Sequence, residues 1–232
     1  AGADADVPLR YAEPLSAVAD LALVDRLEAV AGPANVATHL GTGRVRFIGS
    51  DVARPGFRGV ATGLAGQPDA AARAFFAEYG PLFGVHDPAT LRVMKQTVDT
   101  SLGQERVFVR YQQTLNGIPV LGGELVAQVD AAGVVWSASG EALPDKAAAS
   151  LTVAPNISAA QAMATARGAV AKYQGVAADG LQVSEAELWY DAPELLGRPG
   201  GATRLAWRVD VTPVDLLPIR ELVLVDALTG KI

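Results

Sequence analysis

Only two histidines, His39 and His86, offer imidazole chemistry, and their positions withhold it. A zinc pair on one helix face needs His-x-x-x-His, a spacing absent here, and neither histidine is followed by glutamate. His86 lies in Val85-His86-Asp87-Pro88, where Asp and Pro favour a turn, and a structural place is expected for His39 too. Cysteine is absent, which removes thiolate metal sites and thiol nucleophiles. No Gly-x-Ser-x-Gly setting exists for a serine nucleophile, and Ser137 and Ser139 fall inside a strand pattern. Asp99, Glu105, Glu124, Asp130, Glu185, Glu187, Asp210 and Glu221 read first as solvent-face strand residues rather than as an acid/base pair. Gly41-Thr42-Gly43 precedes a strand, not a helix, so it lacks the order a phosphate cradle requires. Trp136, Trp189 and Trp207 sit in strand candidates, where packing under a helix is expected over a ligand cage. No catalytic residue, metal ligand or cofactor is expected in this chain.

The elements that position these residues follow from periodicity and turn signals. A helical segment is expected from Ser16 to Val30, closed by Gly32-Pro33, then short strands over Val45–Ile48 and Phe57–Thr62. Pro68 and Asp69 open a second helix with Phe75, Tyr79 and Leu82 on one face. Four strands are expected next, near Leu91–Asp99, Glu105–Thr114, Ile118–Asp130 and Val134–Ser139. Asn116-Gly117 marks a two-residue hairpin turn with positive φ at both positions. Pro144 to Ser150 reads as a linker or crossover. Ser158-Ala159-Ala160-Gln161 is a capping box that starts a third helix, with Ala162, Met163, Ala166, Ala169, Val170 and Tyr173 as its apolar face. Strands return at Leu181–Tyr190, Thr203–Thr212 and Ile219–Val225, with a Pro/Gly-rich excursion at 193–201. The expected class is α+β: two consecutive units, each a helix on an antiparallel sheet. The boundaries are 1–66 as an extension forming part of the first unit, 67–143 as that unit's main body, 144–155 as linker and 156–232 as the second unit.

Composition bounds the partners. The 232 residues are 50% hydrophobic and 19% charged, enough apolar material for a sizeable core. A net charge of -6 and only 19 scattered basic residues argue against nucleic acid as a partner. No apolar run is long enough to span a bilayer, so no membrane partner is expected, and Ala1 to Asp6 lack the features of a signal peptide.

One segment is distinctive as a whole: Val107-Phe108-Val109-Arg110-Tyr111-Gln112-Gln113-Thr114-Leu115-Asn116-Gly117-Ile118-Pro119-Val120-Leu121-Gly122-Gly123-Glu124. It resembles the motif shared by fungalysin and thermolysin pro-regions, and Asp130 to Gly140, with its closing Ser139-Gly140, looks like that motif's continuation. The unit from Ser158, with Leu205-Ala206-Trp207-Arg208-Val209 and the ending Val223 to Ile232, is similar to the PepSY-type domain that follows in such precursors. The resemblance covers about Gln67 to Ile232. It implies cystatin-like units and a non-catalytic propeptide, chaperone and inhibitor of a cognate thermolysin-like catalytic domain. It also implies zinc and calcium in that partner domain, and a secreted or periplasmic location with the signal peptide absent from this chain.

Within the motif Asn116-Gly117 fixes register, Gly122-Gly123 permits a bulge or close approach, and Val107, Val109 and Tyr111 share one sheet face. Pro119 suits an edge or bulge. Arg110 and Gln113 are binding groups toward the protease or, equally, partners for backbone groups beside the bulge. Asn116, Gly117, Pro119, Gly122, Gly123 and Gly140 are marked with them as motif positions open to protease contact. Asp226, Thr229, Gly230, Lys231 and Ile232 are expected to lie in the protease cleft and at the processing junction. Two other readings use the same residues: a stand-alone exported binding or adapter module, and a hydrolase with a carboxylate site assembled in space.

Overall fold

A computed structural model describes residues 18–39, 43–51, 53–60, 62–101, 103–198 and 201–232, and shows an α+β chain. Ser16, Gly41, Thr42 and the expected excursion at 199–200 lie outside the described residues. The compact units are discontinuous in sequence. The first comprises 1–89, 93–111 and 125–141; the second comprises 90–92, 112–124 and 142–232.

The first unit holds helices α1 (Val18–Ala31) and α2 (Pro68–Tyr79) and strands β1 (Ala34–Thr38), β2 (Val45–Ser50) and β6 (Val135–Glu141). It also holds most of β3 (Leu91–Asp99), the first half of β4 (Arg106–Leu115) and the second half of β5 (Ile118–Asp130). The strands run in the order β1-β2-β6-β5-β4-β3. Pro68 starts α2 without losing a hydrogen bond, since a first-turn amide has no intrahelical acceptor. Its buried face is aromatic: Phe75 stacks on Phe57 at 5.6 Å, and Phe76 meets Phe83 and Tyr111 edge-on at 6.0 and 5.8 Å. Such pairs contribute about 0.5–1.5 kcal/mol each beyond area burial. Tyr111 is tied down by its hydroxyl, which donates to Asp69 Oδ1 at 2.7 Å. Burial, then that bond, pushes the phenol far above its ordinary range.

The strand expected over Phe57–Thr62 is not formed; Arg58, Gly59 and Thr62 are in turns, Val60 is a bend and Phe57 is irregular. Gly56 and Gly59 take φ of 85° and 92°, which breaks the extended path, and Phe57 plugs the core instead. Strand β1, unsigned in the sequence, pairs antiparallel with β2.

The second unit holds α3 (Ala159–Gln174), β7 (Leu181–Val183), β8 (Glu187–Asp191), β9 (Arg204–Pro213) and β10 (Glu221–Asp226) with the other halves of β4 and β5. β8 pairs parallel with β5, and β9 is antiparallel to β7, β8 and β10. The capping box forms: Ser158 Oγ accepts from the Gln161 amide at 3.2 Å, and Gln161 Oε1 accepts from the Ser158 amide at 2.9 Å. Gly175 ends the helix at φ 67°. Ala162, Ala166, Val170 and Ala171 pack on Val209, Val211, Val223 and Val225. Tyr173, expected on that face, is 82% exposed, because in the last turn only Val170 and Ala171 reach the strands. The expected strand Leu181–Tyr190 is two short strands: residues 184–186 lie in neither, although the Ser184 amide still donates to the Asp210 carbonyl at 2.9 Å. Asp145–Ser150 is a 3₁₀ turn.

Candidate functional site

The β4–β5 turn has Asn116 at φ 52° and Gly117 at φ 78°, the paired positive values of a type I′ turn whose twist matches its strands. Asn116 Nδ2 donates to the Ala148 carbonyl at 2.9 Å, so the turn residue also holds the 3₁₀ segment. Two glutamines just before the turn do related work inside the unit. Gln113 is fully buried: Nε2 donates to the Leu143 carbonyl at 2.6 Å and Oε1 accepts from the Leu143 amide at 2.9 Å. The side chain thus imitates one rung of a strand ladder for a residue that has no strand partner. Gln112 Nε2 lies 2.7 and 3.0 Å from the carbonyls of Val120 and Gly123 and 3.1 Å from that of Gln113. Those carbonyls flank a kink in β5 where Gly122 takes φ 78°.

Both glycines of the kink are confined. A Cβ on Gly122 would sit 2.8 Å from Leu196 Cδ2, and one on Gly123 would sit 2.9 Å from Val120 Cβ and 3.0 Å from Gln113 Oε1. Gly122 is set by its left-handed φ, since the exposed end of Leu196 can move aside, whereas close approach to Val120 and Gln113 is the requirement at Gly123. Pro119 is half-buried in β5 and lines a cavity of about 440 Å³ with Arg92, Thr114, Leu188 and Trp189. Nearby in the chain, buried Asp191 accepts from Arg198 and, at 2.9 Å, from Arg204. Two guanidinium partners answer the cost of burying a carboxylate.

The last turn is rooted in the same core. Ala227 packs in one cluster with Leu115, Val120, Leu143 and Tyr190, and its amide donates to the Leu205 carbonyl at 2.9 Å. Asp226 Oδ1 accepts from the amides of Leu228 and Thr229 and from the Thr229 hydroxyl, at 3.0, 2.7 and 2.9 Å. Partial burial pushes this carboxyl up. The bonds from Thr229 and Leu228 and the charge of Arg204 outweigh burial and hold it below the usual range. Gly230 takes φ 73°, and the Asp226 amide donates to the Lys231 carbonyl at 2.7 Å, closing the turn. Thr229, Lys231 and Ile232 are exposed.

Gln113, Asn116, Gly117, Pro119, Gly122, Gly123 and the turn from Asp226 thus share the second unit, whereas Arg110 and Gly140 belong to the first. Arg110 is exposed on β4, and Gly140 bends β6 at φ 127°. Sequence reasoning missed Gln112 and the Asp191–Arg198–Arg204 group. A Gln-Gln pair ahead of Asn-Gly was a usable signal for the former; nothing local marked the latter. Among the described residues no group of three or more His, Asp or Glu could hold a metal ion. The side chains of Gln112, Gln113 and Asn116 hydrogen-bond to the chain's own backbone.

Residues 89–142 match the Fungalysin/Thermolysin Propeptide Motif family. The chain is 28% identical over 171 residues to bacillolysin of Bacillus subtilis (strain 168), covering 73% of this chain and 31% of that protein. It is 30% identical over 166 residues to bacillolysin of Bacillus amyloliquefaciens, covering 71% of this chain and 30% of that protein. The chain therefore spans less than a third of the length of these curated relatives.

Proposed function

We propose that this chain is a propeptide of the thermolysin family, acting as intramolecular chaperone and inhibitor of a thermolysin-like catalytic domain. The match over residues 89–142 carries the reading. The body then serves as a folding template, lowering a barrier that a kinetically trapped protease does not cross unaided. The zinc and calcium of the proposed system belong to that catalytic domain, and the pair works outside the cell or in the periplasm. In this proposal the second unit is PepSY-type and both units are cystatin-like.

Inhibition in this proposal uses the turn and exit segment, Asp226 to Ile232. Lys231 and Ile232 are exposed at the end of that turn, and backbone groups there, once the turn opens, can pair with a protease cleft without any special side chain. Asp226 holds the root of the segment in one geometry, which reduces the entropy lost on docking. Arg110, Asn116, Gly117 and Pro119 are the motif positions with surface to offer as protease contacts. Adding the isolated chain to a mature bacillolysin-type protease is expected to slow peptide hydrolysis at micromolar concentrations. Unchanged rates at micromolar excess would falsify the inhibitor role.

A further inference from the structure

Arg106, on β4 of the first unit, lays its guanidinium 3.9 Å from the centroid of the Trp136 ring on β6. The ring is fixed in place. Its indole N–H donates to Asp130 Oδ2 at 3.1 Å, while Oδ1 of the same carboxylate accepts the amides of Ala132 and Val134, both at 2.9 Å. Asp130 is thereby committed to the β5–β6 turn and to the indole. The charge of Arg106 reaches Asp99, but among the described residues no hydrogen bond or ion pair engages its guanidinium, and its Nε is buried without an acceptor.

The second unit carries the same device in a closed form. The Trp189 indole N–H donates to Glu187 Oε2 at 3.2 Å, and Arg208 lies 5.3 Å from that ring. There, however, the guanidinium is spent on Asp210 at 3.3 Å and Glu187 at 3.6 Å. Two tryptophans are pinned by acids and capped by arginines, and the arginine at Trp136 is the one whose hydrogen-bonding fork is unspent among the described residues.

Arg106 lines a cavity of about 400 Å³, walled also by Phe47, Pro55, Gln128, Trp136 and Ser137. Asp51 stands at the same cavity, with Oδ1 accepting the Ala53 amide at 2.7 Å. Stacking holds the guanidinium plane, so binding a carboxylate costs little additional side-chain entropy, and a planar fork meets two oxygens at once. Volumes of about 300–1,000 Å³ are those of ligand pockets, and Trp and Arg dominate protein recognition energetics.

We propose that this cavity is a carboxylate subsite, which takes an acidic side chain of a protein partner on Arg106 with a neighbouring apolar side chain against Phe47 and Pro55. The inference goes beyond the propeptide reading, because it defines the partner by chemistry and is tested on this chain alone. The intact chain is titrated with acetyl-Leu-Glu-Leu-amide and, separately, with acetyl-Leu-Gln-Leu-amide, and the indole N–H resonances are followed by NMR. The acidic peptide is expected to shift the Trp136 resonance and leave that of Trp189 in place. It should bind about tenfold tighter than the neutral peptide, as a charge-assisted fork requires. Arg106→Gln should abolish that preference, and Arg106→Lys should not restore it, because an ammonium offers no planar fork. Equal binding of the two peptides, an unmoved Trp136 resonance, or a preference that survives in R106Q overturns the proposal. Should R106Q not fold, the two peptides on the unaltered chain still decide.

Discussion

At the scale of single residues the determining group is Gln113, a neutral side chain buried with both ends bonded to Leu143. A carboxamide can serve as donor and acceptor at one site without bringing a charge into the core. The sequence offered two roles for it, protease contact or satisfaction of backbone groups beside the bulge; in the fold its side chain bonds to the backbone of Leu143, 30 residues along the chain. Gln113→Leu keeps the volume but strips the Leu143 amide and carbonyl of partners. The expected loss is about 2–3 kcal/mol, because unsatisfied buried groups forfeit their full desolvation cost. Urea unfolding of the variant beside the native chain reads it directly, and a loss under about 0.5 kcal/mol would show that water replaces the clamp. Asp191 shows the opposite limit of legibility. Its partners Arg198 and Arg204 lie 7 and 13 residues along the chain, a pairing no local motif encodes.

At the scale of elements, what was legible was what local chemistry fixes alone. Ser158 and Gln161 declare the start of α3, and Asn116-Gly117 declares the β4–β5 turn, because each motif satisfies its own backbone within a few residues. Phe57–Thr62 misled because its apolar residues imitate a strand, while the glycines before and within it turn the chain. The kink at Gly122 was foreseen as a bulge or a close approach; what the sequence withheld was the neighbour, Leu196, which arrives from a distant 3₁₀ turn. Gly122→Ala combines a left-handed φ with a Cβ contact of 2.8 Å. Strain at such positions costs about 1–3 kcal/mol. The variant should therefore melt several degrees lower, and hydrogen exchange should quicken first in β5 and the 193–196 turn. A uniform change across the unit would argue that the kink is not where the strain enters.

At the scale of the whole molecule, unit membership changes within strands β4 and β5, not only near residue 142. Residues 112–124 give the second unit the parallel neighbour of β8, the clamp on Leu143 and two residues of its core cluster, Leu115 and Val120. Full burial of two such side chains is worth about 3–6 kcal/mol, and a clamp of two hydrogen bonds adds about 1–3 kcal/mol. Domain stabilities run to about 5–15 kcal/mol, so removing the hairpin takes most of what a small unit possesses. A fragment comprising 142–232 is thus expected to lack cooperative thermal unfolding and dispersed amide resonances, although it keeps the capped helix α3 and the β9–β10 pair. The propeptide motif, in this view, specifies a fold through the segment that the two units divide between them, and its glutamines and glycines are needed for folding before they are needed for any partner. A fragment that melts sharply and gives a dispersed spectrum on its own would refute this and assign the hairpin's contribution to the first unit.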